Sequence, residues 1–529
     1  MVFLAGGHAY KVKKPVRLPF VDFSTLARRR HFCHEEVRLN RRLAGRVYHG
    51  VVPIVGGDNG ARVLDVVLDD PSQEPPSSEG QVLEWAVRMD RLPADRTLES
   101  LLRRGELAGD EALRFFDRLA RRLADFHQHA ERSDEISRTG GLGTVAANAR
   151  DNLTELEPAV GQTVSAPVLE RLRHLTEEAL TRLRPLIERR AAEGRPCDGH
   201  GDLRLGHVYQ LPSPSGDDEL AIIDCIEFNE KFRFADPVAD MAFLAMELDF
   251  EDRPELRDAF TRSYLEAAGD PEGEDLLPFY VAYRGVVRGK IRTLTARDPG
   301  IGRDEQEKAA ARATRHLLRA LGWLAPPDER PSLVLLAGLP GTGKSALAQA
   351  LTGEGGFTWI DTDRVRKELA RKHDAGTGTD GDGAAGNATG FEEGIYTPEW
   401  TERTYGECLR QATALLFDGS RVLVEGAFRT ERHRRLFVDD ARALGVPALV
   451  LIIEAERDVV RRRLEDRTRA EAAPDASDAD WDVYRQAERR WEEPGTELAP
   501  VVRRIRGDAP LSRVVDQARA VLDAAGLTA

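Results

Sequence analysis

Cysteine, long apolar runs and positive net charge are all scarce in this sequence of 529 residues. The four cysteines lie far apart and form no CxxC pair, which argues against a zinc site and a disulfide framework and favours reduced thiols. No stretch approaches the roughly 20 apolar residues that cross a bilayer, and the start has its apolar residues before its basic ones, the reverse of a secretory signal. The net charge of -14 argues against non-specific attraction to nucleic acid or anionic membrane. We therefore expect a soluble, cytoplasmic protein without a membrane partner.

The domain organisation follows from the length and from the pattern of prolines and glycines. A chain of 529 residues is too long for one core. The proline-rich segment 325–331 is the best linker, because proline bars both helix continuation and strand pairing. We expect one domain at 1–325, a linker at 326–331 and a second domain at 332–529. Residues 376–390 are mostly Gly, Asp, Thr and Ala, and are expected to be a mobile insertion.

Local patterns predict different fold classes on the two sides of this linker. On the amino-terminal side, short strand patterns give way to helices, whose apolar residues recur at Leu113, Phe116, Leu119, Leu123 and Phe126. On the carboxy-terminal side strands and helices alternate, which favours a parallel α/β sheet. The predicted elements are a hairpin (2–4 and 9–12), a helix (26–43), strands at 51–55, 63–68, 82–89 and 221–226, and then strands at 333–337, 359–360, 422–424 and 448–453.

The glycine-rich string GLPGTGKS at 338–345 follows the strand pattern at 333–337 and precedes a helix-forming run at 346–351. It satisfies GxxxxGK[ST], in which glycines let backbone N–H groups turn around a phosphate and the helix amino terminus adds positive potential. Lys344 is expected to reach the β- and γ-phosphates of ATP or GTP, and Ser345 to ligate Mg²⁺. The expected nucleotide-binding residues are Gly338, Gly341, Thr342, Gly343, Lys344 and Ser345.

Asp363 and Arg366, just after the strand pattern at 359–360, indicate a kinase rather than a hydrolase. The sequence here resembles the small P-loop kinases that phosphorylate metabolites, antibiotics or polynucleotide 5′-hydroxyls. In those kinases an Asp accepts the proton of the attacking hydroxyl, and an Arg three residues later helps to hold the acceptor. The resemblance implies Asp363 as the base and Arg366 as the acceptor anchor. The alternative is a helix-capping Asp and a solvated Arg.

Two further features of this half resemble the same kinases. Glu425 ends an apolar strand pattern like a Walker B acid and is expected to hold a Mg²⁺-bound water; a plain strand-end acid is the alternative. The arginine-rich helix at 458–469 and the polar segment after it resemble a kinase lid, whose arginines neutralise the migrating phosphoryl group. Arg463 and Arg467 lie four residues apart and so share a helix face, which a solvated arginine surface would also explain.

The amino-terminal half carries a second set of motifs. The string HGDLRLGH at 200–207 resembles the catalytic loop HGDxxxxN of aminoglycoside-phosphotransferase-like kinases, with His207 in place of Asn. IIDCIE at 222–227 and DPVADMA at 236–242 resemble the family's metal-binding strand and the run that supports the loop. The resemblance implies Asp202 as the base, Asp224 as the main metal ligand and His207 as the second. Neutral imidazole is a poorer Mg²⁺ ligand than an amide oxygen.

The segment AYKVKK at 9–14 resembles the strand that carries the phosphate-binding lysine of this fold. Lys11 and Lys13 face the same side of a strand, so spacing cannot choose between them. Glu36 on the following helix is the expected ion-pair partner, and a run of surface lysines is the alternative. Kinases of this fold have a further strand and a nucleotide-covering loop before the lysine strand, and here only about ten residues precede it. Either translation begins upstream or the amino-terminal lobe is reduced.

The chain as a whole resembles the bacterial proteins described as bifunctional aminoglycoside phosphotransferase/ATP-binding proteins. The resemblance implies a bilobal α+β protein-kinase-like domain followed by an α/β P-loop domain. It implies ATP-dependent phosphorylation of a small hydroxylated compound with Mg²⁺. One alternative is polynucleotide 5′-hydroxyl kinase activity in the second domain, with nucleic acid as the partner. Another is a regulatory protein whose inactive first domain senses a ligand and gates a P-loop ATPase. The sequence specifies neither the acceptor nor the oligomeric state.

Overall fold

The computed structural model describes residues 1–18, 21–57, 60–76, 78, 80–212, 219–377, 394–469 and 479–528. The chain forms two compact units, Met1–Asp151 with Glu178–Arg284, and Asn152–Glu177 with Gly285–Ala529. The expected linker 326–331 falls inside the second unit, where Pro327–Glu329 forms one 3-10 turn. Residues 378–390 of the expected insertion and 470–478 of the expected lid lie outside the described residues. Within the described ranges, no helix combines the length and apolar character needed to cross a membrane.

The first unit begins with a five-stranded antiparallel sheet in the order β1-β2-β7-β5-β6. One helix, α1 (Leu26–Ala44), packs on the sheet through Cys33 and Val37, which share a core with Trp85 and Val87. This packing brings the polar residues of α1 next to the second strand. The strands are β1 (Val2–Ala5), β2 (His8–Val12), β3 (Arg17–Leu18), β4 (Val21–Asp22), β5 (Tyr48–Gly57), β6 (Gly60–Val63) and β7 (Val82–Asp90), with β3 and β4 paired separately.

The predicted hairpin, the predicted helix at 26–43 and the strands at 51–55 and 82–89 are confirmed. The predicted strand at 63–68 is wrong, since β6 ends at Val63. Beyond it Leu64 and Leu68 are buried, and Leu68 forms only a single bridge with Val51. An apolar run that fills a core without a strand partner has the same sequence pattern as a strand.

Helices and two short pairs of strands form the other described elements before the second sheet. The predicted apolar helix is α3, but its Leu113 is 38% exposed, because Ala112 takes the place on the buried face one turn before Phe116. The helices are α2 (Leu98–Arg103), α3 (Gly109–His129), α4 (Asp134–Thr139), α5 (Leu142–Thr154), α6 (Ala166–Ala192), α7 (Pro237–Phe250), α8 (Pro254–Ala268), α9 (Gly273–Ala296) and α10 (Arg303–Leu324). The strands are β8 (Cys197–Asp198), β9 (Val208–Leu211), β10 (Glu219–Ile222) and β11 (Phe234–Ala235), and the pairs are β8 with β11 and β9 with β10.

The second unit contains a five-stranded, wholly parallel sheet in the order β13-β14-β12-β15-β16. The four predicted strands are confirmed. The fifth, β16, was not predicted, because three of its five residues are Arg and only Ile505 is buried. The strands are β12 (Ser332–Ala337), β13 (Thr358–Asp361), β14 (Arg421–Glu425), β15 (Ala448–Glu454) and β16 (Val502–Arg506). The helices are α11 (Lys344–Gly355), α12 (Thr362–Thr377), α13 (Pro398–Phe417), α14 (Glu431–Ala443), α15 (Arg457–Arg469), α16 (Trp481–Arg489) and α17 (Leu511–Ala524).

Candidate functional site

The HGD loop of the first unit is fixed by Asp240, a buried residue of α7. Its carboxylate accepts the backbone N–H groups of His200 at 2.6 Å and Gly201 at 2.8 Å, and its Oδ2 lies 3.2 Å from His127 Nε2. Burial alone would raise the pKa of Asp240, but its contact with His127 and the charges around it hold that pKa well below its usual range. Asp240 is therefore an ionised anchor that positions the backbone next to Asp202.

Asp202, the expected base, lies within a small polar cluster. Its backbone carbonyl is 2.9 Å from His207 Nδ1, and its carboxylate Oδ2 is 3.1 Å from Arg204 Nε. The Arg204 guanidinium also donates to His207 Nε2, and that nitrogen lies 3.5 Å from Asp224 Oδ2. The structure thus brings the three expected residues Asp202, His207 and Asp224 together. Arg204 was not singled out from the sequence, although it is a cation two residues after the expected base.

Lys11 on β2 and Lys13, which directly follows that strand, have different surroundings. Lys11 Nζ lies 2.8 Å from Glu36 Oε1 and 2.6 Å from Asp224 Oδ1, and 27% of its side chain is exposed. The Lys13 side chain is only 4% exposed, and its amine pairs with Glu36 and with Glu227. Glu36 therefore pairs with both lysines, and only Lys11 contacts the expected metal ligand. Glu227 was missed, although it stands three residues after Asp224 as the last residue of the quoted motif.

Asp224 has the backbone and electrostatic features of a functional residue. The predicted strand at 221–226 stops at Ile222, because Asp224 adopts a left-handed conformation with φ of 68°. Burial alone would raise the pKa of Asp224, but Lys11 and the nearby His207 hold it well below its usual range. Its Oδ2 and His207 Nε2 form a mixed oxygen and nitrogen donor pair. This pair does not match the all-oxygen coordination that Mg²⁺ prefers.

In the second unit, the P-loop joins β12 to α11. Gly338 and Gly343 have φ of 148° and 103°, and a Cβ atom on Gly338 would lie 2.6 Å from the carbonyl oxygen of Ile453. Only glycine suits such positions, which leave the loop backbone free to surround a phosphate. Lys344 follows, and its Nζ donates to the Leu339 carbonyl at 3.0 Å. Gly341 also has a positive φ, and Thr342 is buried in the same loop.

Ser345 and Glu425 place two oxygen donors, the kind of ligand that Mg²⁺ prefers, beside the P-loop. Ser345 Oγ donates to Glu425 Oε1 at 2.6 Å, and the other carboxylate oxygen, Oε2, is buried with no hydrogen-bond partner among the described residues. Burial raises the pKa of Glu425 despite the attraction of Lys344. A hydroxyl and a carboxylate beside a P-loop lysine fit Mg²⁺ bound with ATP, and these two residues would hold that ion. The ion would neutralise phosphate charge.

Asp363 and Arg366 lie in the first two turns of α12. Asp361, at the end of β13, accepts the N–H of Asp363 at 2.8 Å, so Asp361 has the capping role that was the alternative for Asp363. Burial lowers the pKa of Lys344, and the negative charges of Glu425 and Asp363 oppose that shift only in part. Arg366 is buried, donates to the Ile395 carbonyl at 2.9 Å and lies over the Tyr396 ring at 5.0 Å from its centroid.

Of the two expected lid arginines on α15, Arg463 lies next to the P-loop. Arg463 Nη1 lies 3.4 Å from the Gly341 carbonyl, whereas Arg467, one turn later, donates to the Ala479 carbonyl.

Sequence analysis missed one close neighbour of the P-loop, Gly507. A Cβ atom on Gly507 would lie 2.2 Å from the Thr342 carbonyl oxygen, so the loop after β16 rests directly against the P-loop. No sequence signal marked it, because the strand before Gly507 is mainly charged.

Comparisons with known proteins agree with this two-part layout. Residues 21–277 match the phosphotransferase enzyme family, and residues 333–494 match the AAA domain family. Uncharacterized proteins of Mycobacterium bovis and Mycobacterium tuberculosis are each 35% identical over 495 residues, which covers 91% of this chain and 89% of theirs.

Solved kinase structures resemble about a third of the chain. A gluconokinase from Sinorhizobium meliloti is 17% identical with a TM-score of 0.27, covering 37% of this chain and 94% of its own. The Mycobacterium tuberculosis APS kinase CysC, in complex with AMPPNP and APS, is 19% identical with a TM-score of 0.26, covering 38% and 99%. Neither likeness identifies an acceptor. With its two kinase-like domains, the chain is a phosphotransferase that belongs to the bacterial family of fused aminoglycoside phosphotransferase-like and P-loop ATP-binding proteins.

Proposed function

We propose that both domains transfer the γ-phosphoryl group of ATP to a hydroxyl group of a small molecule. The hydroxyl oxygen bonds to the γ-phosphorus, the bond from that phosphorus to the bridging oxygen of ADP breaks, and the hydroxyl proton passes to a carboxylate. That carboxylate is Asp202 in the first domain and Asp363 in the second. The observation that carries the proposal is the ion pair of Lys11 with Glu36, because a lysine–glutamate pair orients the lysine towards phosphate in active kinases. The same lysine contacts Asp224, the expected metal ligand.

In the second domain, the grouping of charges supports transfer to an acceptor rather than ATP hydrolysis alone. Asp361 caps α12, which leaves the Asp363 carboxylate as a base near Lys344. The buried Arg366 guanidinium, on the same helix, is suited to hold an acceptor group. The net charge of -14 favours a small acceptor over a polynucleotide, whose binding would weaken steeply with added salt.

A second candidate function for the first domain is ligand sensing without catalysis. The observation that favours it is the contact of Arg204 with Asp202, because the carboxylate that would receive the acceptor proton is already held by a guanidinium. In this alternative the domain binds its ligand, and only the second domain turns over ATP.

The test is a phosphate-transfer screen with the full-length chain and labelled ATP, using sugars, aminoglycosides, nucleosides and oligonucleotides as acceptors. Asp202→Asn and Lys344→Ala assign each labelled product to one domain. We expect products that disappear with Asp202→Asn and others that disappear with Lys344→Ala. If Lys344→Ala removes every product and all ATP turnover, the sensing alternative is correct for the first domain. A product formed only with oligonucleotides would contradict the small-molecule proposal.

A further inference from the structure

Arg204 lies between the two carboxylates of the first-domain site. Its Nε is 3.1 Å from Asp202 Oδ2, and its Nη2 donates to His207 Nε2. That ring nitrogen in turn lies 3.5 Å from Asp224 Oδ2. We propose that Arg204 is a catalytic residue whose guanidinium binds the γ-phosphoryl group of ATP, and that His207 is the positioning residue that holds it. The inference rests on the proposed function of the first domain and adds to it a residue that the family resemblance does not assign.

The hydrogen bonds of His207 show that this side chain holds an arginine. Arginine can only donate, so His207 Nε2, which receives the hydrogen bond from Arg204, gives its lone pair to the guanidinium. The ring is therefore neutral, and its proton is on Nδ1, which lies 2.9 Å from the Asp202 carbonyl oxygen. Both ring nitrogens are thus engaged, and none is left for a metal ion. The positive charge beside His207 comes from the protein itself.

The guanidinium of Arg204 has hydrogen-bond donors left for a phosphoryl group. Arginine presents several N–H groups in a planar fork, and the hydrogen bond to His207 uses one of them. Nε is buried and has no hydrogen-bond partner among the described residues, although it lies close enough to Asp202 for an ion pair. A buried N–H group without a partner is rare in folded proteins and calls for a ligand. Phosphate oxygens suit this fork, because they accept two parallel hydrogen bonds from one guanidinium.

The proposed transfer requires a cation at this point. The acceptor oxygen bonds to the γ-phosphorus, the bond from that phosphorus to the bridging oxygen of ADP breaks, and the hydroxyl proton passes to Asp202. A cation close to the phosphoryl oxygens stabilises the charge that is redistributed in this step. Lys11 contacts Asp224 and Glu36, whereas Arg204 contacts the base itself. A phosphoryl group that binds the guanidinium also releases the Asp202 carboxylate to receive the proton.

The test compares AMPPNP with ADP, which lacks the γ-phosphoryl group, on full-length chains that carry Lys344→Ala to silence turnover by the second domain. Arg204→Met should lower the affinity for AMPPNP about tenfold or more in calorimetry and leave the affinity for ADP within about threefold. ADP release from ATP, with the sugars, aminoglycosides and nucleosides of the screen as acceptors, should fall about 100-fold or more. Arg46→Met is the matched control, because Arg46 pairs with Glu219 on the exposed surface of the same unit.

Two further variants separate chemistry from folding. Added guanidinium ions, at a concentration too low to unfold the protein, should restore part of the turnover of Arg204→Ala, which only a folded site allows. His207→Leu should lose the preference for AMPPNP over ADP as Arg204→Met does, because the guanidinium is no longer held. Raising the Mg²⁺ concentration should not restore turnover in His207→Leu. Restoration by Mg²⁺ would show that His207 is a metal ligand and would overturn its assigned role.

The outcomes that overturn the inference differ in what else they affect. If Arg204→Met keeps normal turnover while Asp202→Asn abolishes it, Arg204 is not catalytic and the proposed function stands. Equal losses of AMPPNP and ADP affinity in Arg204→Met, with no rescue of Arg204→Ala by guanidinium, would show that Arg204 is only structural. If the chain with Lys344→Ala releases no ADP and Asp224→Asn leaves nucleotide binding unchanged, the inference and the catalytic role of the first domain fail together.

Discussion

Lys11 and Asp224 are 213 positions apart in the sequence, yet Lys11 Nζ lies 2.6 Å from Asp224 Oδ1. The contact joins the sheet of the first unit to the motif that follows the HGD loop. Lys11 also pairs with Glu36, whereas its neighbour Lys13 is buried between Glu36 and Glu227. The two lysines therefore have separable roles: Lys11 faces the site, and Lys13 stabilises the acids behind it.

This separation predicts that replacing lysine by methionine has different effects at positions 11 and 13. Lys11→Met should lower transfer by the first domain roughly 100-fold or more with little change in stability, because the lost charge acts on phosphate. Lys13→Met should instead destabilise the fold by about 3–5 kcal/mol, because it leaves Glu227 buried without its partner. Transfer assays and urea unfolding of both variants measure the two effects. Equal loss of stability in both variants would contradict the assignment.

Asp202 is expected to act in the transfer step and not in nucleotide binding. Asp202→Asn keeps the shape of the side chain and removes the proton acceptor, so transfer by the first domain should fall about 10²- to 10⁴-fold. The affinity for AMPPNP, measured by calorimetry, should stay within about threefold of the wild-type value. Asp95→Asn, an exposed acid of the same unit, is the control. Retained transfer activity in Asp202→Asn would remove Asp202 from the chemistry.

Gly507 is expected to be essential to the P-loop although it lies outside the GxxxxGK[ST] string. A methyl group at this position would overlap the Thr342 carbonyl at 2.2 Å and Ile453 Cγ2 at 2.7 Å. Gly507→Ala should therefore displace the P-loop and weaken nucleotide binding by the second domain at least about tenfold. Gly353→Ala is the control, because a Cβ atom on this helical glycine meets nothing within 4 Å. If the two variants bind nucleotide equally well, the loop does not depend on this contact.

Arg190 supports the motif that holds the HGD loop. The guanidinium is buried and donates to both Asp236 and Asp270 at 2.6–3.0 Å. Arg190→Met leaves two carboxylates without their partner and should destabilise the fold by about 3–5 kcal/mol at pH 7. Arg189→Met, whose side chain is half exposed, should change stability by less than about 0.5 kcal/mol. Denaturant unfolding measures both.

The ion pair of Arg190 with Asp270 also predicts how the stability of the fold depends on pH. Burial alone would raise the pKa of Asp270, but Arg190 lowers it below its ordinary value. The ionised carboxylate therefore stabilises the wild-type fold above about pH 4. This stabilisation is lost as the pH falls through the lowered pKa. In Arg190→Met the charged Asp270 carboxylate lacks its partner, so protonation of Asp270 stabilises the fold of the variant. The difference in unfolding free energy between the two proteins should therefore shrink as the pH falls from 7 towards 4. A difference that grows on acidification would contradict the ion-pair account.

The sequence was most informative where chemistry restricts the residue type. The P-loop string could be recognised because glycines with positive φ, a lysine and a hydroxyl are required in a fixed order, and β12 and α11 flank it as expected. The alternation of strands and helices was enough to predict a parallel sheet. The strand β16 was not predicted, because an edge strand buries few side chains and its sequence is therefore mainly charged.

Other parts of the sites depend on contacts that spacing cannot show. Lys11 and Lys13 are the same residue type two positions apart, and both pair with Glu36 of α1, so only their contacts with Asp224 and Glu227 distinguish their surroundings. Arg204 resembles any surface arginine in the sequence, and its role follows from its contacts with Asp202 and His207. Gly507 stands more than 160 residues from the P-loop, so only the fold could reveal their contact.

The most direct test of the central claim, that the chain contains two nucleotide sites, is the number of AMPPNP molecules bound per full-length chain. Calorimetry with Mg²⁺ and, separately, with Mn²⁺ measures this number whichever cation each site prefers. We predict two molecules per wild-type chain with at least one of these cations, and one per chain in Asp224→Asn. One molecule per wild-type chain with either cation, unchanged by Asp224→Asn, would show that the first domain binds no nucleotide and would contradict the account.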